Sequence, residues 1–372
     1  MQHSSIKTTV FLICVTSLLT VIPPRTAQAD DSDFLLDRVI HWGDGSSERV
    51  QVGKDGYFRL QGMRVRLVGM DLGTTGASNE FFNPASLAIF DKELTYLESA
   101  GIRLIHLTFG YVGYNRETER YSGLLDLLYR HKMLVFPLIT GKYLPNFGSL
   151  TNADFVIGGS DSLGRWATRW CDVMTNYPNV VAVAAENELD IPLKPPTVPA
   201  LQQYTAAEAA AYMEFLTSII HSKLHVPVVT KLVGEVNASW SWRPDIKEAV
   251  LPFSDTPCVD LYYPTERELS AHLEAVLSWL KNKGAKTNGV WVGEANAGTG
   301  VAPCSADFTT GYIDSMFNHG VAVICLWVAN RTRNPTWAFF DSGGNPGETL
   351  LRMAPDLKRL QAPISKSPAV SK

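Results

Sequence analysis

The chain has 372 residues, 45% hydrophobic and 19% charged, with a formal net charge of −4. That much apolar material supports one large core, and the length suits a single α/β barrel as well as two smaller domains. A mildly acidic chain without clustered Lys and Arg has no nucleic-acid footprint, so no nucleic-acid partner is expected and an uncharged substrate suits it.

The N-terminus reads as a targeting segment. Lys7 is followed by an apolar stretch, Thr8 to Ile22, and then by Ala27-Gln28-Ala29. A basic start, an apolar middle and an A-x-A ending describe a secretory signal over residues 1–29. The apolar run is shorter than the ~20 residues of a spanning helix, so no stable membrane insertion is expected after cleavage. The expected location is secreted or periplasmic. Residues 30–362 are expected to form one domain, with a disordered tail over 363–372. Cys171, Cys258, Cys304 and Cys325 match no zinc or redox spacing, and neither a metal nor an organic cofactor is expected. Cys325 sits in a strand-like run and reads as a small buried hydrophobe. Export leaves a Cys258–Cys304 disulfide open.

From Gln51 to Leu67 apolar residues alternate around turn signals at Lys54-Asp55-Gly56 and Gln61-Gly62. This is the pattern of small antiparallel strands, a β-hairpin. Short apolar runs then alternate with helical stretches, which argues for βα units and a parallel sheet. Eight strands are expected near Arg66–Met70, Leu104–Thr108, Leu134–Leu138, Val180–Ala185, Val228–Lys231, Val259–Tyr262, Gly289–Gly293 and Ala322–Trp327. Pro84 suits the first turn of the first helix. Leu163, Trp166, Trp170 and Met174 form a 3.6-residue stripe. Thr205 to Leu224 reads as the longest helix, and further helices are expected over Arg267–Lys283, Asp307–His319 and Gly347–Leu360. Eight strands with helices between them predict a (β/α)8 TIM barrel, preceded by a small N-terminal β-hairpin. An open doubly wound sheet is the alternative, but no G-x-G-x-x-G follows any strand.

Two acidic motifs fall at strand ends. Asn187-Glu188 closes the fourth apolar run, and Glu294 follows Val290-Trp291-Val292-Gly293 at the seventh. Carboxylates at the C-terminal tips of barrel strands are where such a fold keeps its chemistry. Two of them facing one another across a cleft are what glycosidic bond cleavage needs, one as acid and one as nucleophile or base. Glu186 lies two residues before Glu188, and on a regular strand the two would share a face. It is either a rival acid or a hydrogen-bonding partner.

From Val52 to Leu360 the chain resembles the clan-A glycoside hydrolases, closest in style to family 5 endo-glycanases of the cellulase and mannanase type. The stretch Asp55-Gly56-Tyr57-Phe58-Arg59-Leu60-Gln61-Gly62 with Arg66-Leu67-Val68-Gly69-Met70-Asp71 is similar to that family's opening hairpin and first strand, and Phe340 to Pro346 to its closing turn. The resemblance implies Glu188 as general acid/base, Glu294 as nucleophile, and Asn187 bonded to the sugar 2-hydroxyl. It implies a tyrosine on strand six beside the nucleophile. Tyr262 and Tyr263 both stand there, strand alternation lets only one point inward, and Tyr262 is the expected one. It also implies a tryptophan flooring the substrate at the end of strand eight, where Trp327 stands. Departures are His106, where the family often has an arginine on strand two that helps hold the nucleophile, and Asp71, where it has an asparagine. His106 is expected either to line the site or to pack in the core.

With the two carboxyl groups about 5–5.5 Å apart the reaction would retain configuration. Like charges that close oppose joint ionisation, so Glu188 is expected protonated and Glu294 ionised. Trp240 and Trp242 follow strand five, and Tyr111, Tyr114, Tyr143, Phe147 and Trp337 lie in other strand-following loops. Such aromatics suit a β-linked polymer as partner and place Trp242 among the substrate-binding residues. The expected activity is a β-glycoside hydrolase, endo-β-glucanase or β-mannanase in type. Its alternatives are an exo-acting enzyme of the same clan and a non-catalytic carbohydrate-binding barrel. A metal-dependent barrel hydrolase would need a His-x-His on strand one, which the chain lacks.

Overall fold

Tight turns set the first layer. Gln61 and Gly62 both adopt left-handed backbone (φ 52° and 77°), as a two-residue hairpin turn requires. They join β3 (Phe58–Leu60) to β4 (Met63–Val65), and the Lys54–Gly56 turn joins β2 (Ser47–Gly53) to β3. The computed structural model describes residues 33–72, 84–108, 121–140, 163–190, 205–234, 243–262, 266–296, 305–329 and 338–364. The expected signal segment and most of the expected tail lie outside them. Residue 33 onward forms one compact unit.

The hairpin proves to be part of a four-stranded antiparallel sheet, because β1 (Phe34–His41) adds to it in the order β1-β2-β3-β4. A bulge between Phe34 and Leu36 shifts the register there. It breaks the alternation that marks a strand in sequence, leaving Phe34-Leu35-Leu36 as an unpatterned apolar run.

A closed eight-stranded parallel barrel follows. Its strands in chain order are β5 (Leu67–Asp71), β6 (Leu104–Thr108), β7 (Leu134–Ile139), β8 (Val183–Asn187), β9 (Val228–Val233), β10 (Cys258–Tyr262), β11 (Val290–Asn296) and β12 (Val321–Leu326). These match the expected runs within a few residues at each end. β7, β9 and β12 are buried along their whole length, which is why β7 and β12 read as unbroken apolar runs and β9 as one broken only by Thr230 and Lys231. The fourth run starts late, since Val180 makes only an isolated bridge to Val135.

Outside the barrel lie α1 (Pro84–Ser99), α2 (Ser122–Arg130), α3 (Leu163–Met174), α4 (Ala206–Leu224), α5 (Pro244–Val250), α6 (Glu266–Asn282), α7 (Ala306–Asn318) and α8 (Glu348–Leu360). Thr205 caps α4 in a reciprocal box with Glu208, which satisfies two of the donors left open at a helix start. The α3 stripe buries Trp166, Trp170 and Met174, and Tyr121 meets Trp170 edge to face with centroids 4.7 Å apart. Among the described residues no helix is long and apolar enough to cross a membrane.

The antiparallel sheet is fastened to the N-terminal end of β11. The indole of Trp291 donates to Gly56 O at 2.7 Å, Gly289 N donates to Asp55 O at 2.9 Å, and the Phe58 ring stacks on Trp291 with centroids 5.3 Å apart. A Cβ on Gly289 would stand 2.5 Å from Asp55 O, so the approach requires glycine. Cys171, Cys258 and Cys325 are buried free thiols. The open Cys258–Cys304 pairing involves Cys304, which lies outside the described residues.

Trp170→Ala removes a fully buried ring from the α3 seam. Chemical denaturation should show a loss of ~3–5 kcal/mol in unfolding free energy, the usual cost of a large buried aromatic; a loss under ~1 kcal/mol would mean that the seam does not carry this core.

Candidate active site

Both strand tips that bear the glutamates are bulged. Along β8 and β9, Ala184 pairs with Val229 but Asn187 with Lys231, so one extra residue is inserted. Glu186 and Glu188 take left-handed backbone there (φ 67° and 49°), a conformation costing ~1–2 kcal/mol for a residue with a side chain. It persists where surrounding bonds hold it. Glu186 is fully buried, accepts from Tyr212 OH on α4 at 2.5 Å and from Thr140 Oγ1, and accepts its own neighbour's amide, Asn187 N, at 3.1 Å. The bulge separates the two acids that regular alternation would put on one face. Glu186 is anchored toward the helix layer. Glu188, half-buried, has its amide bonded to Lys231 O at 3.0 Å, and its charge pushes up the pKa values of both Asp260 and Tyr262. It stands at the tip of β8, beside the strand that carries Lys231.

On β11 the extra residue is Gly293: Val292 pairs with Val259, and Glu294 with Asp260. Glu294 thus lies inside the strand and points inward, its side chain 15% exposed. Lys231 Nζ donates to its Oε1 at 2.5 Å, and Tyr262 OH to its Oε2 at 2.5 Å. Lys231 is wholly buried and also lies 3.4 Å from Asp260 Oδ2. Gly293 makes the room. A Cβ there would stand 2.7 Å from Lys231 Cε, 2.9 Å from Asp260 Oδ1 and 3.1 Å from Cys258 Sγ.

One ammonium faces two acids, and their environments divide the charge. Burial opposes ionisation of Glu294, but the Lys231 charge, the Lys231 and Tyr262 hydrogen bonds and His106 outweigh it, holding the carboxyl at about 2. Asp260 goes the other way: burial pushes it well up, Lys231 pulls it down, and the Glu294 and Glu188 charges raise it further. The net direction for Asp260 is upward. Burial likewise works against the Lys231 charge, but Asp260, Glu294 and Asp71 hold its pKa above that of a free lysine. Tyr262 is raised well above an ordinary phenol, by burial first and then by the neighbouring carboxylates, so it remains a donor. Because the Glu294 pKa is depressed, its ionisation favours the folded state above about pH 4.5, and that gain fades as pH falls toward about 2.

His106 is sealed from solvent, stacked on Phe136 at 4.6 Å between centroids. Its Nδ1 must carry the hydrogen, since it lies 2.6 Å from Phe136 O, which can only accept. Its Nε2 faces Asp71 Oδ2 at 3.9 Å. Burial, then the Lys231 charge, lowers it to about 3, so the ring is neutral. Asn187 ends β8, half-buried, opposite Lys231. Trp327 follows β12, edge-on to Tyr262 with centroids 6.1 Å apart and planes at 86°; the Trp327–Val328 peptide is cis, and Asn296 Nδ2 donates to Trp327 O. Glu294, Tyr262 and Trp327 thus adjoin one another, Glu188 and Asn187 stand at the tip of β8 next to the Lys231 strand, and His106 is buried. Trp242, Trp240, Tyr111, Tyr114, Tyr143, Phe147, Trp337 and Tyr263 lie outside the described residues.

Sequence reasoning passed over Lys231, Asp260 and Asn296, and the buried pair of Asp190 with Lys247 at 3.4 Å. Asp190 accepts from Val233 N at 3.3 Å and so ties the segment after Glu188 to β9. The available signal was a lone charge in an otherwise buried run, Val228-Val229-Thr230-Lys231-Leu232-Val233 and Cys258-Val259-Asp260-Leu261.

No family model matches the chain, and no curated protein sequence matches it. Solved structures do. The chain is similar to an exo-β-1,4-mannosidase from Opitutaceae bacterium strain TAV5 at 17% identity and TM-score 0.61, over 83% of this chain and 62% of that one. It is similar to a GH5_18 protein from Streptomyces cattleya in complex with Manβ1-4GlcNAc at 12% identity and TM-score 0.62, over 82% of each chain. It is similar to the endo-β-1,4-mannanase from Thermotoga petrophila at 12% identity and TM-score 0.53, over 80% of this chain and 77% of that one. At such identities the likeness is one of fold.

Gly293→Ala should crowd the buried lysine and lower stability by ~1–3 kcal/mol in denaturant titration. Gly43, with nothing within 4 Å of its added Cβ, gives the control: Gly43→Ala should stay within ~0.5 kcal/mol of wild type. Equal effects at both positions would contradict the close fit around Lys231.

Proposed function

We propose that this chain is a retaining β-glycoside hydrolase working by double displacement. The reading rests on one observation: Glu188 and Glu294, from the tips of the fourth and seventh barrel strands, both bond Lys231, whose carbonyl accepts from Glu188 N at 3.0 Å and whose ammonium donates to Glu294 Oε1 at 2.5 Å. In this reading the ionised Glu294 attacks the anomeric carbon. Glu188 gives its proton to the leaving oxygen, and then takes one from the water that hydrolyses the glycosyl ester. Tyr262 steadies the nucleophile, Asn187 bonds the 2-hydroxyl, and Trp327 floors the sugar. The fold shared with β-mannoside-directed proteins supports a β-1,4-mannoside as the first substrate class to test, with β-glucan next. Endo action is proposed, with Trp242 among the substrate-binding residues; exo action is the alternative, favoured by the exo-β-1,4-mannosidase among the structural neighbours. The proposal includes export of the chain through residues 1–29.

The test is turnover of mannan, β-glucan, oligosaccharides and aryl β-glycosides by wild type and two variants. Glu294→Gln should lower kcat/KM by about 10³-fold or more on every substrate. Glu188→Gln should cost ~10²–10⁴-fold on unactivated sugars and far less on aryl glycosides, whose leaving group needs little acid help. Sugar binding without turnover by the wild type would instead mark a non-catalytic carbohydrate-binding barrel.

A further inference from the structure

Strand two places no cation beside the proposed nucleophile. His106 occupies the strand-two place and is neutral, its Nδ1 hydrogen committed to Phe136 O. The nearest positive charge comes from three strands further round the barrel. We propose that Lys231, on the fifth barrel strand, is a positioning residue that holds Glu294 in its attacking orientation and in its ionised form. This rests on the reading of Glu294 as nucleophile.

Three observations carry it. Lys231 Nζ and Tyr262 OH each take a different oxygen of Glu294, both at 2.5 Å, so the carboxylate plane is fixed by two donors from two strands. The lysine itself has no freedom: it is wholly buried, with Asp260 3.4 Å from Nζ on one side and the bare backbone of Gly293 against Cε. The charges around it favour Glu294 over its rivals. Asp71 on β5, His106 on β6, Glu188 after β8, Asp260 and Tyr262 on β10, and the Cys258 and Cys325 thiols all face this centre. Glu294 takes both donors, Lys231 Nζ and Tyr262 OH, at 2.5 Å, whereas Asp260 lies 3.4 Å from Nζ and burial works against its charge. A lysine held protonated in this way has no free amine pair, and so is not a Schiff-base nucleophile.

The test reads the charge on Glu294 directly. The full chain is labelled with ¹³C-glutamate, and the Glu294 carboxyl signal is identified by its loss in Glu294→Gln. In the wild type that signal should not titrate from about pH 3.5 to 8, because its pKa lies at about 2. In Lys231→Met it should titrate above the ordinary 4.5, a rise of about 2.5 pH units or more, since burial then acts without the opposing charge. Lys231→Gln, polar and similar in length, should show the same rise and serves if the methionine variant does not fold. In kinetics the acid limb of kcat should climb by the same interval while KM changes little, a movement that a merely structural lysine would not produce. An unchanged carboxyl titration in both variants would overturn the proposal. A shifted titration in a protein that turns over no glycoside would leave Lys231 as the charge-setting group and overturn the hydrolase reading instead.

Discussion

A lysine ammonium buried inside the barrel mouth is the constraint around which this site is organised. An ion taken out of water costs several kcal/mol unless it is paired and hydrogen-bonded, and Lys231 is wholly buried. It contacts Glu294 at 2.5 Å and Asp260 at 3.4 Å. The two acids shift in opposite directions beside it, Glu294 downward and Asp260 upward. The Lys231 charge and the Lys231 and Tyr262 hydrogen bonds hold Glu294 as a carboxylate against its burial. The buried lysine also explains why a glycine precedes Glu294: any larger residue at position 293 would occupy the space of the lysine stem.

The fold supplies the positions, and irregularities supply the directions. A closed parallel barrel brings eight strand tips to one mouth, but a regular strand would place Glu186 and Glu188 on one face. The β8 bulge, with two left-handed residues, sends Glu186 to Thr140 and Tyr212 and frees Glu188 for the mouth. The β11 bulge sets Glu294 against Asp260 across the strand pair. Bulges near an active site are a recurrent means of re-aiming side chains. At the opposite end, the antiparallel sheet grips Trp291 on the same strand that carries Glu294.

Most of the barrel was legible because strands buried on both faces leave apolar runs, and the helices between them carry stripes and caps. The two glutamates were legible because each closes such a run. β1 was not, because its bulge falls in the stretch where alternation would have shown it. Lys231 was not, because nothing in its local sequence names a partner 63 residues away; only inter-strand register brings it to Glu294. The choice between Glu186 and Glu188 turned on a backbone conformation that neither residue type favours, which spacing alone cannot convey. The Tyr262 hydroxyl took its place by strand alternation, a rule that does operate locally.

The most direct test of the two-glutamate account is covalent trapping. The wild-type protein would be treated with a 2-deoxy-2-fluoro β-glycoside bearing a good leaving group, then digested and analysed by peptide mass spectrometry. The account predicts one added fluoroglycosyl group, on the peptide containing Glu294, and none in Glu294→Gln. Turnover of substrate with no label, or a label on a peptide that lacks Glu294, would contradict it.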